Sequence, residues 1–109
     1  MPATAPHIDA LLRDLKAALV DLYGERLHRV VLYGSHARGE ATGASDIDVM
    51  VVLRGEVNPM REISRLVEVT YPLELETGQL ISALPISVDD FTARDKPVVW
   101  HARAEGIEA

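Results

Sequence analysis

Residues 33–53 read YGSHARGEATGASDIDVMVVL, from Tyr33 to Leu53, and the fold turns on how this stretch divides. Gly34-Ser35 closes a short β-rich run, Leu27 to Tyr33, in which Val30, Val31 and Leu32 are consecutive and apolar. Ten small or polar residues follow, 36–45, including Gly39 and Gly43, so a loop or one short helical turn is expected there. Asp46 to Leu53 then makes the strongest strand in the chain, with Ile47, Val49, Met50, Val51, Val52 and Leu53. On an extended backbone, residues two apart leave the same face. Asp46 and Asp48 therefore project together, while Ile47, Val49 and Val51 point the opposite way into a core.

Two carboxylates on one face at a strand start form a hard-oxygen site suited to Mg²⁺. Left alone they repel one another, and a divalent cation removes that penalty. The Gly34-Ser35 corner offers what a triphosphate needs beside the metal: a backbone that can be approached closely, N–H donors and a hydroxyl. Arg38, four residues after Gly34, adds a planar cationic donor for a phosphate. Ser45 precedes Asp46 and either orients the carboxylate loop or caps it. The candidate nucleotide-binding residues are thus Gly34, Ser35, Arg38 and Ser45, and the candidate metal and catalytic residues are Asp46 and Asp48. Taken singly, Gly-Ser after a strand is an ordinary turn and Asp-x-Asp an ordinary solvated pair. The information lies in their joint spacing between two strands.

Outward from this segment, Ile8, Leu11, Leu12, Leu15, Leu19 and Leu22 recur in steps of three and four, an amphipathic helix that Gly24 can stop. Residues 1–6 are expected to be frayed, because Pro2 and Pro6 block early helix. Asn58-Pro59 places a capping residue before an N1 proline. The helix that follows is expected to bury Met60, Ile63, Val67 and Thr70, with Leu66 beside them. Arg61 and Arg65 fall on its solvated face. Pro72 should kink or end this helix, with a short continuation through Glu74 and Glu76 to Gly78. Gln79 to Ile86 reads as a third strand, Ser87 to Asp90 as a helix start, and Lys96-Pro97 as the opening of a last helix. Trp100 in that helix reads as an anchor against the sheet, with an interface role as the alternative. The expected architecture is one α/β domain spanning 1–109, built on a three-stranded sheet.

The chain has 109 residues, with 11 Lys and Arg against 17 Asp and Glu, a net charge of −6. That balance argues against stable non-specific nucleic-acid binding, which needs a basic surface to displace counterions. It leaves room for a nucleotide site in which Mg²⁺ supplies the positive charge. Without cysteine there can be no disulfide, thiolate metal site or cysteine nucleophile. His7, His28, His36 and His101 are too dispersed in sequence for a zinc site. His36, inside the loop, reads as a nucleotide contact or an exposed loop residue. No apolar run approaches a membrane span and no signal-peptide pattern opens the chain, so a cytoplasmic address with no membrane contact is expected.

The pattern apolar-Gly-Ser, ten residues, Asp-apolar-Asp-apolar resembles that of the polymerase β-like nucleotidyltransferases. YGSHARG and SDIDVMV resemble the minimal nucleotidyltransferases (MNT), small prokaryotic members of that superfamily, and length and element order agree over nearly the whole chain. The resemblance implies a mixed three-stranded sheet flanked by helices, ATP as donor substrate and two Mg²⁺ ions. In those proteins the residues matching Gly34 and Ser35 hold phosphates, and those matching Asp46 and Asp48 bind metal. Many are antitoxins of a helical HEPN-type toxin, and some act by transferring AMP to a toxin tyrosine. The alternative within the same resemblance is an antitoxin that neutralises by binding alone. Transfer to a small molecule fits less well, because 109 residues leave no room for an acceptor-holding domain. A partner protein is then expected to bring the hydroxyl.

Active relatives complete the metal site with a third carboxylate on the third strand, and here the chain departs from the pattern. Residues 78–87 read GQLISALPIS, without an acid. Glu76 or Glu74 before the strand are the candidate substitutes, and Asp89 and Asp90 follow it. Ser82, within the strand, reads as a packing or ladder residue.

Overall fold

The computed structural model describes residues 6–42, 45–93, 97, 99, 100, 102 and 106–108. Helix α1 spans Pro6–Tyr23, followed by a 3₁₀ turn over Gly24–Arg26. Strand β1 (Leu27–Tyr33), the single-turn helix α2 (Ser35–Arg38) and strand β2 (Ile47–Leu53) come next. Helix α3 (Pro59–Thr77), strand β3 (Ile81–Ser87), helix α4 (Val88–Ala93) and the two-residue strand β4 (Ile107–Glu108) complete the order. Residues 97, 99, 100 and 102 are also helical. The region expected to fray begins helix at Pro6, and its remainder, 1–5, lies outside the described residues.

The sheet has four strands rather than three, in the order β3-β2-β1-β4. The added member, β4, pairs antiparallel with β1, Val31 against Glu108 and Leu32 against Ile107. Two residues are too few for a periodicity, which is why the sequence does not announce it. Gly106 lets this segment in, because a side chain there would overlap Val31 and the Ala102 carbonyl. β2 runs antiparallel to β1 and parallel to β3. The parallel pair requires a crossover, which α3 supplies. Pro85 is tolerated because β3 is an edge strand, where a missing N–H need not break a ladder.

β2 is buried on both faces, consistent with its near-continuous apolar run. Ile47, Val49, Val51 and Leu53 pack with Val30 and Leu32 under α1 and α3. Met50 and Val52 pack on the other face with Val31, Ile86 and Phe91 of α4, together with Val99 and Ala102. α1 buries Ile8, Leu11, Leu12, Leu15 and Leu19 as its spacing predicts, but Tyr23 closes the stripe and Leu22 turns outward. Trp100 does not anchor the sheet: it is 62% exposed, and its neighbours Val99 and Ala102 face in.

α3 differs most from its reading. It runs unbroken through Pro72 to Thr77 and caps at Gly78. Its buried side carries Glu62, Leu66 and Thr70, whereas Met60, Ile63 and Val67 face solvent. The cause is a charged residue turned inward. Glu62, 2% exposed, accepts a hydrogen bond from the Tyr23 hydroxyl at 3.0 Å and an ion-paired one from Arg26 at 3.0 Å. Arg65 adds a contact at 3.4 Å. Once the carboxylate is satisfied this way, the helix face bearing it can be buried. At the helix start, the Asn58 side chain accepts from the Arg61 N–H, the expected cap.

Candidate active site

β1 ends at Tyr33, which stands opposite Asp48 in the antiparallel register. The next residue, Gly34, has φ +76°, a conformation that L side chains rarely adopt. A Cβ built there would lie 2.6 Å from Asp48 Oδ2. The glycine is therefore needed twice, for its backbone angle and for the carboxylate pressed against its Cα. Strand pairing brings together two residues that are fourteen positions apart in sequence.

Asp48 shares its sheet face with Met50 and Val52, but at the strand end, where it is only half-buried. Burial raises its carboxyl above the usual range, and the neighbouring Asp46 charge raises it further. His36 and Arg38 act in the opposite direction without cancelling the rise. Asp46, expected to open the strand, sits one residue before it and is exposed, since the ladder starts where the Ile47 N–H bonds the Leu80 carbonyl. Its charge is nonetheless felt at Asp48. The hydroxyl of Tyr33 is likewise pushed up, first by burial and then by Asp48.

Ser35 opens α2, and its carbonyl accepts from the Glu40 N–H at 2.9 Å, folding the loop back. Arg38 follows on α2 and pairs with Glu40 at 3.0 Å. His36 is neither an exposed loop residue nor an open ligand. It is buried, with Nε2 3.2 Å from the Ser45 carbonyl, clasping the two ends of the loop. Nothing in its sequence neighbourhood marks this role, which arises only when the loop folds back. The Ser45 hydroxyl accepts from the Thr42 N–H at 2.9 Å and so closes the turn leading into Asp46. Residues 43 and 44 of this loop lie outside the described residues.

The substitutes for a third carboxylate do not assemble. Glu74 is spent on structure, its Oε2 accepting from the Ile81 N–H at 2.8 Å and tying the end of α3 to the start of β3. Glu76 is exposed near the end of α3, and Asp89 and Asp90 lie on α4, beyond the far end of β3. The β3 residue in register with Asp48 is Ser82, whose side chain is exposed. Among the described residues no three His, Cys, Asp or Glu side chains converge as a metal cluster.

Two neighbouring carboxylates, one of them disfavoured as a charge by burial and repulsion, fit a cation that arrives with phosphate ligands of its own. Mg²⁺ commonly binds in that way, through one or two carboxylates plus substrate oxygens and water. The bare Cα of Gly34 is what lets the Asp48 carboxylate stand at the end of β1, where α2 begins.

Residues 12–93 match the nucleotidyltransferase domain family. Two proteins of Methanocaldococcus jannaschii, both provisionally named as protein adenylyltransferases, align over most of their length. One is 30% identical over 97 residues, covering 89% of this chain and 88% of its own. The other is 27% identical over 78 residues, covering 72% and 78%. A provisionally named nucleotidyltransferase from Sulfolobus solfataricus shares the fold with a TM-score of 0.56 at 21% identity, covering 93% of this chain and 83% of its own. The toxin–antitoxin MntA-HpeT contains a chain of the same fold, TM-score 0.56 at 17% identity, covering 85% of this chain and 68% of that one.

Proposed function

The chain belongs to the nucleotidyltransferase domain family, and on that premise we propose that it transfers AMP from ATP to a hydroxyl of a partner protein. We infer further that the partner is a HEPN-type toxin, which the modification neutralises. The protein-adenylyltransferase names of its relatives and its fold likeness to MntA-HpeT support this reading. The observation that carries it is the Asp48 carboxylate against the Cα of Gly34, with Asp46 beside it.

In the reaction, the acceptor oxygen bonds to the α-phosphorus as the bond to the bridging oxygen breaks. Pyrophosphate leaves, and the hydroxyl proton passes to solvent. Gly34 admits the phosphates, the Ser35 hydroxyl and the Arg38 guanidinium bind them, and the Ser45 turn presents Asp46. Asp46 and Asp48 hold Mg²⁺, whose chemistry when bound is to neutralise the phosphate charge and favour ionisation of the hydroxyl. Holding the reactants in line supplies much of the remaining acceleration.

A second reading, neutralisation by binding without transfer, is favoured by one observation: Ser82, not an acid, stands beside Asp48. ATP labelled at the α-phosphate, incubated with Mg²⁺, this protein and a HEPN-type toxin, separates the two. Transfer predicts label on the toxin, lost with Asp46→Asn/Asp48→Asn. Neutralisation that survives the double substitution, with no label transferred, overturns it.

A further inference from the structure

α3 has two apolar faces. The inner one, Leu66, Val69 and Leu73, packs into the core. The outer one consists of Met60, Ile63, Val67, Tyr71 and Leu75, which are 78, 44, 53, 57 and 68% exposed. Their spacing of three and four places them in a single stripe about 22 Å long at 1.5 Å per residue. A surface helix is ordinarily polar on the side away from the core, so a continuous stripe of this kind marks a contact surface. The helix cannot hide the stripe by rolling. Glu62 is fixed by Tyr23 and Arg26, and Glu74 is fixed by the Ile81 N–H.

The charges beside the stripe indicate what covers it. Along one flank, both exposed, Arg61 lies in the first half and Glu68 in the second. When two copies of a helix pair antiparallel about a two-fold axis, each flank meets the same flank of its partner, reversed end to end. The basic half of each copy then faces the acidic half of the other, which is the self-complementarity an isologous interface requires. A parallel pairing would set like charges together.

We propose that α3 is a homodimerisation surface, two copies of this chain pairing antiparallel through Met60, Ile63, Val67, Tyr71 and Leu75, with the axis close to Val67. The pairing leaves the candidate active site open, because Asp48 lies on the sheet face that packs against α4, opposite α3.

Sedimentation equilibrium of the full chain tests this. The expected mass is twice 12.0 kDa, falling to the monomer value in Val67→Asp with an unchanged melting temperature of the monomer fold. Arg61→Glu, which makes the flank acidic, and Glu68→Arg, which makes it basic, should each weaken self-association at least about tenfold. An equimolar mixture of those two variants should recover a 1:1 dimer. A wild-type monomer at about 100 micromolar overturns the proposal. So does a dimer that survives Val67→Asp, or a mixture that stays monomeric, since either assigns the stripe to a different protein.

Discussion

A methyl group on Gly34 would meet the Asp48 carboxylate at 2.6 Å and would also have to adopt φ +76°. Gly34→Ala is therefore expected to cost about 1–3 kcal/mol in stability and to abolish Mg²⁺-dependent ATP binding, as read by chemical denaturation and calorimetry. Asp48 gives a prediction of opposite sign. Its folded pKa is raised by burial and by Asp46, so the fold favours the protonated acid. The associated stability is present below the unfolded pKa of 3.8 and is lost as pH rises through the higher folded value. Asp48→Asn should accordingly melt above wild type at pH 7 without Mg²⁺, and the gap should close on acidification. Such a trade is expected of a site whose charge awaits a cation. At Ser82 the expectation is a gain. An acid placed beside Asp48 by the β2–β3 register should raise the rate of labelled-AMP transfer by about tenfold or more, whereas Ser82→Ala leaves it near wild type.

Among the elements, the strand–loop–strand unit was legible because its signals are local: an apolar run, a Gly-Ser corner, and two acids at a spacing of two. The approach of Gly34 to Asp48 follows directly from pairing those strands. α3 was legible as a helix but not in rotation. Apolar spacing favoured Met60, Ile63 and Val67 as the inner face, because the partners that make Glu62 buriable lie 39 and 36 residues away at Tyr23 and Arg26. Removing that carboxylate with Glu62→Ala should cost about 3 kcal/mol, as for one partner of a buried pair. Burial alone would raise the Glu62 carboxyl. Hydrogen bonds from Arg26 and Tyr23, with the Arg26 and Arg65 charges, outweigh it and hold the group below its ordinary 4.5. Its contribution is thus present above that pH and is lost as pH falls through the depressed folded value. Urea titrations should show wild type losing stability in acid more steeply than Glu62→Gln, the two converging at low pH.

At the scale of the molecule, the central strand β2 is covered on both faces, and its one carboxylate-bearing end is left open. The candidate site sits at that end, on the side of the sheet away from α3. No helix among the described residues is long and apolar enough to cross a membrane. Asp46, Asp48 and Gly34 are proposed to act as one nucleotide and Mg²⁺ site. Calorimetric titration of ATP into the full chain, in Mg²⁺ and in EDTA, tests this most directly when repeated with Asp46→Asn/Asp48→Asn, its fold checked by circular dichroism. The expected result is binding that requires Mg²⁺ and falls by about 100-fold or more in the folded double variant. Equal affinity in the two proteins, or in the two buffers, would contradict it.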